Sequence, residues 1–417
     1  MLDIKFIRQN SDIVKKAAKD KRVEVDVDKI IALDERRRQI QGELDQANSF
    51  RNALADASKG GKPTEDQIAE GKKYKEQAGI LEEALRITSD ELRDELYKVP
   101  NIPTEDTPVG ADESENQIVK SWGEKPVFDF TPKEHWELGE ALGVIDTETA
   151  ATVAGSRFAY VKGDLVLLEF ALIQYAFSIL VKEGFKPVLP PVMLRTEVYR
   201  KTARLNEQDI TYRIGNEDDL WLAASAEHTM VPMYMDKIIP EKDLPLRYIG
   251  FSTAFRREAG TYGKDMKGIL RVHQFDKLEM ESFSTAEQGR GEHDFFVSMQ
   301  EKLMQGLNLP YQVVLKCTAD IGSANARGVD INTWLPGQNT YRETHTADYM
   351  TDYQARRLDT KVRLSTGETQ FVHTNDATAL AIGRTIVAIM ENYQTKEGTI
   401  KIPEVLKPWM LGVEEIR

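Results

Sequence analysis

Between residues 27 and 98, side chains of one kind recur at alternating intervals of three and four. Ile30, Leu33, Arg37, Ile40, Leu44, Ala47, Arg51 and Leu54 form one run; Ala78, Leu81, Leu85, Thr88 and Leu92 form a second. A 3/4 alternation is a heptad seam, so each run reads as a long helix with a single packing edge. Between the runs lies Lys59-Gly-Gly-Lys-Pro63, which breaks a helix chemically. Thr64 with Gln67 three residues on has the form of a capping box that starts the second helix. Two long helices joined by a short turn fold back as an antiparallel hairpin. Arg37 and Arg51 sit on the seam, where a buried guanidinium is costly unless it snorkels to water. The pattern therefore predicts a two-stranded arm standing in solvent.

Charge separates this arm from the rest. The chain carries 55 Lys+Arg and 68 Asp+Glu, a net of −13; residues 1–100 hold 20 and 21 of these, a net of −1, which leaves −12 for the body. Such acidity argues against a protein that coats nucleic acid. The arm nevertheless has basic clusters, Arg36, Arg37 and Arg38 and then Lys72, Lys73 and Lys75, which could face phosphates. From charge alone a solvated coiled-coil face reads equally well. The single cysteine, Cys317, excludes a disulfide framework and fits a reducing compartment. Charges interrupt the first eight residues at once, unlike a signal peptide. The apolar stretch 165–181 includes Glu169 and Gln174 and is too short and polar to span a bilayer. These features predict a cytoplasmic protein with no membrane association.

Past residue 98 the chain changes character. Residues 99–127 hold Pro100, Pro103, Pro108, Pro126 and Gly110 and read as a strap without regular structure. Beyond it, 165–182 reads as a helix, 187–194 as extended, 248–255 and 269–283 as strands, and 378–394 as a helix. Strands grouped without regular βα alternation favour an α+β fold with an antiparallel sheet. The division expected is 1–103 for the helical arm, its coiled coil at about 27–98, and 104–417 for the second domain.

Familiar nucleotide and hydrolase signatures are absent: no GxxxxGK[ST], no GxGxxG after a strand, no GxSxG. Without HExxH or paired CxxC, and with six scattered histidines, no zinc site is expected. The informative block runs from Phe251 to Phe283, two extended runs flanking a loop with Gly260, Gly263 and Gly268. Alternation puts Arg271, His273, Phe275, Lys277 and Glu279 on one face of the second strand, and Leu270, Val272, Leu278 and Met280 on the other. Arg256 and Glu258 share a face of the first. Cations for phosphate, a flat ring for a base and a carboxylate for an amine suit a nucleotide. An exposed face laced by cross-strand ion pairs would have the same pattern. A second block, 374–384, puts Ala377, Ala379, Ala381 and Gly383 before an amphipathic helix. Arg384 falls at that helix's start, where a cation opposes the macrodipole and an anion partner would be welcome.

These blocks carry a resemblance. Phe255-Arg-Arg-Glu-Ala-Gly260 followed by Arg271-Val-His-Gln-Phe-Asp-Lys-Leu-Glu279 resembles motif 2 of the bacterial-type seryl-tRNA synthetases, class II aminoacyl-tRNA synthetases. Gly184-Phe-Lys-Pro-Val-Leu-Pro-Pro191 resembles their motif 1. The segment 379–394 resembles motif 3, and Thr351-Asp-Tyr-Gln-Ala-Arg-Arg357 a further family segment. Similar matches occur at 1–8, 99–103, 135–139 and 334–338, so the resemblance spans the chain in order.

The resemblance implies an antiparallel class II sheet flanked by helices, with an N-terminal hairpin that grips the long variable arm of tRNA(Ser), and a homodimer. It implies a serine–tRNA ligase that uses L-serine, ATP and Mg2+; whether tRNA(Sec) is also served stays open. By the same resemblance Arg256 would hold the α-phosphate, Glu258 the adenine amine, Phe275 one adenine face, and Arg384 the other face and the γ-phosphate. Arg257, Val272, Thr344 and His345 would complete the ATP site, and Glu343 and Thr346 align with the Mg2+ ligands. Ser225 and Glu227 would face the serine amino group, Glu279 and Thr378 would meet its hydroxyl, and Ala226 and Arg256 would complete the serine site. Arg36, Arg37, Arg38, Lys72, Lys73 and Lys75 become the arm's candidate tRNA contacts. The chain departs from the family pattern at Ser225, at 343–350, at Asp376, and at Lys201-Thr-Ala-Arg-Leu205. Those departures keep two rivals in view: a paralogue with another amino acid or acceptor, and a pseudoenzyme that binds tRNA without chemistry.

Overall fold

A computed structural model of the chain describes residues 1–57, 64–205, 211–215, 217–258, 265 and 267–417. It divides into two compact units, Met1–Ile102 and Pro103–Arg417. The helix break at 59–63 and the loop glycines Gly260 and Gly263 lie outside the described residues.

In the first unit, helices α1 (Ile4–Gln9) and α2 (Ser11–Asp20) precede α3 (Val27–Ala57) and α4 (Glu65–Lys98). The seam is real: Ile30, Leu33, Ile40, Leu44 and Ala47 of α3 are buried, as are Ala78, Thr88 and Leu92 of α4. Lys29 pairs with Glu95 at 2.7 Å, while Phe50 stacks on Tyr74 with centroids 5.3 Å apart. An early α3 residue meets a late α4 residue and the converse, so the hairpin is antiparallel. The capping box forms: Gln67 N–H donates to Thr64 Oγ1 at 3.2 Å, and Thr64 N–H to Gln67 Oε1 at 2.9 Å. Arg37 has a solution beyond snorkelling. Its guanidinium reaches Asp34 at 3.0 Å, and Asp34, wholly buried, also meets Arg8 at 3.3 Å and Arg38 at 3.2 Å.

The second unit is built on an eight-stranded sheet. Its strands are β1 (Gln117–Trp122), β2 (Lys186–Val188), β3 (Leu246–Phe255), β4 (Gln274–Ser284), β5 (Tyr311–Leu315), β6 (Arg327–Leu335), β7 (Thr340–Thr351) and β8 (His373–Ala381). The order is β1-β5-β6-β7-β8-β4-β3-β2, antiparallel except for the β2–β3 pair. Helices α5 (Asp164–Leu180), α6 (Ala286–Gly306) and α7 (Ile382–Asn392) pack on the sheet. Leu278, Met280, Ile331, Ala347 and Ala377 point into the core with Leu168, Leu172, Phe296, Leu303, Ile386 and Ile389 from those helices. The fold is the α+β antiparallel architecture expected.

Several local expectations need correction. Residues 99–127 include β1, an edge strand whose side chains are mostly exposed, so no apolar alternation marks it. The strand expected at 269–283 begins only at Gln274. The helix expected at 378–394 begins at Ile382, because 373–381 pairs as β8. The stretch 187–194 splits: β2 joins the main sheet, while Met193–Arg195 pairs with Leu220–Leu222 in a separate small sheet. In each case a tertiary partner, absent from the local pattern, decided the outcome.

Candidate active site

Opposite the helical core, the sheet carries a face of polar residues aligned by register. On β4, Lys277, Glu279 and Glu281 alternate with the core residues Leu278 and Met280. Glu279 pairs with Gly250 of β3 and Thr378 of β8; Glu281 pairs with Asp376 of β8, which pairs with Asp348 of β7. Two bulges shape this surface. On β8, Ala379 is an extra residue, so Thr378 and Ala381, three apart, line the same cleft. On β7, Thr344 is extra, which brings Glu343 and Thr346 to that cleft together. In a regular strand both pairs would face opposite ways.

The face is covered, so the alternative of an exposed, ion-paired sheet surface does not hold at Lys277, Glu279 and Glu281. Segment 223–226 crosses it, fixed by Phe255 N–H to the Ala223 carbonyl at 3.0 Å and by Arg256 Nε to the Ala224 carbonyl at 3.2 Å. The turn Glu227–Met230 then lies against β3 at Gly250, where a Cβ would fall 2.4 Å from Met230 Sδ. A larger residue there would require the buried Met230 side chain to shift.

One cleft gathers most of the expected nucleotide residues, Arg256, Glu258, Val272, Phe275, Glu343, Thr344, Thr346 and Arg384, together with Thr378, expected at the amino acid. Arg256 lies over the Phe275 ring, 5.2 Å from its centroid. Glu258 takes Arg271 at 3.2 Å. Arg384 donates to both the carbonyl and the carboxylate of Glu343, each at 3.0 Å, which answers the macrodipole conflict at the start of α7. Enclosure works to raise Glu343, but Arg384, Lys316 and Arg256 outweigh it and hold the carboxylate below its usual range. The cleft adjoins a polar basin of about 580 Å³ lined by Lys316, Asp330, Arg271, Arg342 and Arg384. Burial pushes Asp330 up to about 7 against the opposing charge of Lys316.

Deeper in, Lys277 reaches Glu279 at 2.5 Å and donates to Ser225 Oγ at 3.0 Å. Burial, with Glu227 and Asp376 nearby, outweighs Lys277 and pushes Glu279 up to about 8. Glu227 goes the other way: burial opposes its charge, yet His228, Lys277 and Arg204 hold it well below the usual range. His228 Nδ1 accepts from the Ala224 N–H at 3.2 Å and lies 2.6 Å from the Tyr199 hydroxyl, leaving Nε2 to face Glu227 at 3.3 Å. Buried Gln300 of α6 donates to the carbonyls of Thr346 and Thr378 at 2.7 and 2.9 Å, clamping the two strands from below.

Two expected residues do not reach the cleft. Arg257 is exposed and does not line the cleft. His345 is buried against the Thr344 hydroxyl at 2.8 Å, and burial lowers it to about 3, so it is neutral. It follows the β7 bulge, which gives the cleft Glu343 and Thr346 instead. Ser225, Ala226, Glu227 and Glu279 are buried together beside the cleft. In the arm, Arg36, Lys72, Lys73 and Lys75 are exposed, whereas Arg37 and Arg38 already meet Asp34. Residues the motifs did not single out are Lys277, which alternation had put beside Glu279, and Arg204. Arg204 Nη2 reaches Asp376 at 2.5 Å and Asp348 at 3.4 Å, partners too distant in sequence for any local signal.

An antiparallel sheet bearing such a cleft is the core of a class II aminoacyl-tRNA synthetase, and residues 211–393 match the tRNA synthetase class II core domain (G, H, P, S and T). Residues 1–103 match the seryl-tRNA synthetase N-terminal domain. The chain is 41% identical over 415 residues to the serine–tRNA ligase of Symbiobacterium thermophilum, covering 98% of each chain, and 41% identical over 418 residues to that of Thermotoga neapolitana, again covering 98% of each. The solved seryl-tRNA synthetase of Pyrococcus horikoshii complexed with ATP superposes with a TM-score of 0.92 at 37% identity, covering 100% of this chain and 99% of that one. The chain belongs to the seryl-tRNA synthetase family.

Proposed function

We propose that the chain joins L-serine to tRNA(Ser) in two steps at this cleft. The serine carboxylate attacks the ATP α-phosphorus, the bond to pyrophosphate breaks, and seryl-adenylate remains. A carboxylate is already a nucleophile at neutral pH, so alignment and charge neutralisation carry the rate. Arg256 takes the α-phosphate and the serine carboxylate, while Phe275 and Arg384 sandwich the adenine and Glu258 meets its amine. Ser225, Ala226 and Glu227 receive the ammonium group, with Glu227 held charged for it. Glu279 and Thr378 receive the hydroxyl; a buried carboxyl group there rejects alanine, which would leave it unpaired, by a factor that can reach roughly 10⁴. In the second step a terminal ribose hydroxyl of the tRNA attacks the adenylate carbonyl and AMP departs.

A Mg2+ ion fits beside this machinery. The β7 bulge presents Glu343 and the Thr346 hydroxyl, hard oxygen donors, on one wall, and Mg2+ is commonly held by one carboxylate with substrate phosphates. When bound it supplies positive charge to the triphosphate. Exposed Arg36, Lys72, Lys73 and Lys75 are proposed to meet the tRNA backbone. The active form proposed is a cytoplasmic homodimer with 184–191 at its interface, and a monomer mass by light scattering would count against it.

The observation that carries this reading is the convergence of Arg256, Glu258, Phe275, Glu343, Thr346 and Arg384 on one cleft, with Glu279 and Thr378 beside them. Serine-dependent ATP–pyrophosphate exchange tests it. Exchange with serine and not with alanine or threonine is expected. Exchange only with another amino acid would overturn the substrate, and none with any amino acid would favour a pseudoenzyme.

A further inference from the structure

Next to the Glu279–Thr378 row lies a row of acids. Glu281, Asp376 and Asp348 are paired in register on adjacent strands β4, β8 and β7, and all three are buried. Like charges directly opposite one another destabilise a sheet, and burial compounds the cost. Arg204 answers part of it, and the Glu281 carboxyl oxygens have no hydrogen-bond partner among the described residues. Arg204 Nη2 reaches Asp376 Oδ2 at 2.5 Å and Asp348 Oδ2 at 3.4 Å, with its side chain 17% exposed.

Arg204 comes from a turn fixed on its other side. Ala203 has φ +62°, a left-handed position that reverses the chain. The Thr202 carbonyl accepts from buried Gln354 at 2.9 Å, and the Arg200 carbonyl accepts from Arg357 at 3.2 Å. Gln354 Oε1 in turn accepts from the Thr374 hydroxyl of β8 at 2.7 Å. The turn is therefore tied to β8 by two routes, one through Gln354 and one through Arg204. The Arg204 charge also acts on Glu227.

We propose that Arg204 is a positioning residue for amino-acid binding: by bridging Asp348 and Asp376 it offsets charge in the acid row and ties β7 to β8, the strand whose Thr378 stands opposite Glu279 of β4. The proposal rests on assigning Glu279, Thr378 and Glu227 to the amino acid. It makes three of this chain's departures from the family pattern, at 204, 348 and 376, one interdependent set. Both contacts come from Nη2, at the far end of the guanidinium, and a lysine, whose charge sits on a stem one bond shorter, would meet the two carboxylates less closely.

The test is steady-state exchange with the full-length chain, reading KM for serine, KM for ATP and kcat separately. Arg204→Met is expected to raise the serine KM at least tenfold, with the ATP KM and kcat within threefold of wild type. Arg204→Lys should recover only part of the loss. The triple variant Arg204→Met, Asp348→Asn, Asp376→Asn removes the charges together and should return the serine KM to within threefold. An unchanged serine KM in Arg204→Met, a parallel rise in the ATP KM, or no recovery in a folded triple variant would each overturn the proposal. Wild-type exchange separates this from the reading beneath it. If the wild type uses another amino acid instead of serine, that reading fails, and the Arg204 comparison is made with the amino acid it uses.

Discussion

The arm and the catalytic unit both bury charge, and they balance it differently. In the arm, Asp34 is wholly buried and has Arg8, Arg37 and Arg38 around it. Cations outnumber the carboxylate, and each guanidinium keeps a route to water. In the catalytic unit, Glu227, Glu279, Glu281, Asp348 and Asp376 are buried near one another, with buried Lys277 and half-buried Arg204 as cations among them. There burial pushes Glu279 up to about 8 and Asp376 up to about 7, and raises Glu281 well above its usual range. A structural charge is balanced in place, whereas an unbalanced acidic face suits a ligand that brings positive charge. Serine's ammonium is such a ligand.

The largest expected effect comes from the site. Glu279→Ala should lower serine-dependent exchange by ~10³-fold or more, since it removes the partner of the hydroxyl. Equilibrium ATP binding measured alongside should stay within a few-fold. A comparable loss of ATP binding would mean that the acidic face supports the whole cleft and not the amino acid alone.

Removing residues 27–98 probes the contrast from the other side. The main core draws its residues from 138–416, so exchange should remain within about threefold while tRNA charging falls by about 100-fold or more, as expected when phosphate contacts are lost. Charging that persists would break the assignment of tRNA contact to the arm.

Within the arm, stability should respond while chemistry does not. Leu44→Ala on the seam should cost ~2–4 kcal/mol, measured by denaturant unfolding or as faster amide exchange confined to α3 and α4. Exchange activity should be unchanged. Thr64→Ala, which deletes the cap at the start of α4, should cost ~1 kcal/mol by the same measurement. A fall in exchange activity from either arm variant would show that the two units are energetically coupled.

The arm was almost wholly legible, because its determinants repeat every few residues. Seam spacing, the capping box at Thr64 and the antiparallel pairing all follow from local periodicity. The site was legible where a strand alternates regularly: Lys277 and Glu279 opposite Leu278 and Met280. It was illegible at the bulges. Nothing in the spacing of Glu343, Thr344, His345 and Thr346 says that Thr344 is the extra residue, and the resemblance had put His345 in the cleft it does not reach. Arg204 belongs to the same class. The sequence shows an arginine after a short helix, while its two aspartates lie on strands far along the chain.

The amino-acid sequence by itself determined the helical hairpin, the antiparallel α+β class, and the blocks that would meet nucleotide and amino acid. Each depends on residues close together in the chain, whose backbone geometry fixes which side chains share a face. Only the tertiary structure decided that the acidic face is buried, that two bulges turn Thr346 and Ala381 into the cleft, and that Arg204 bridges Asp348 and Asp376. Register and burial are properties of pairs of strands, and the cost of a buried charge is set by its partner across the sheet, not by its neighbours in sequence.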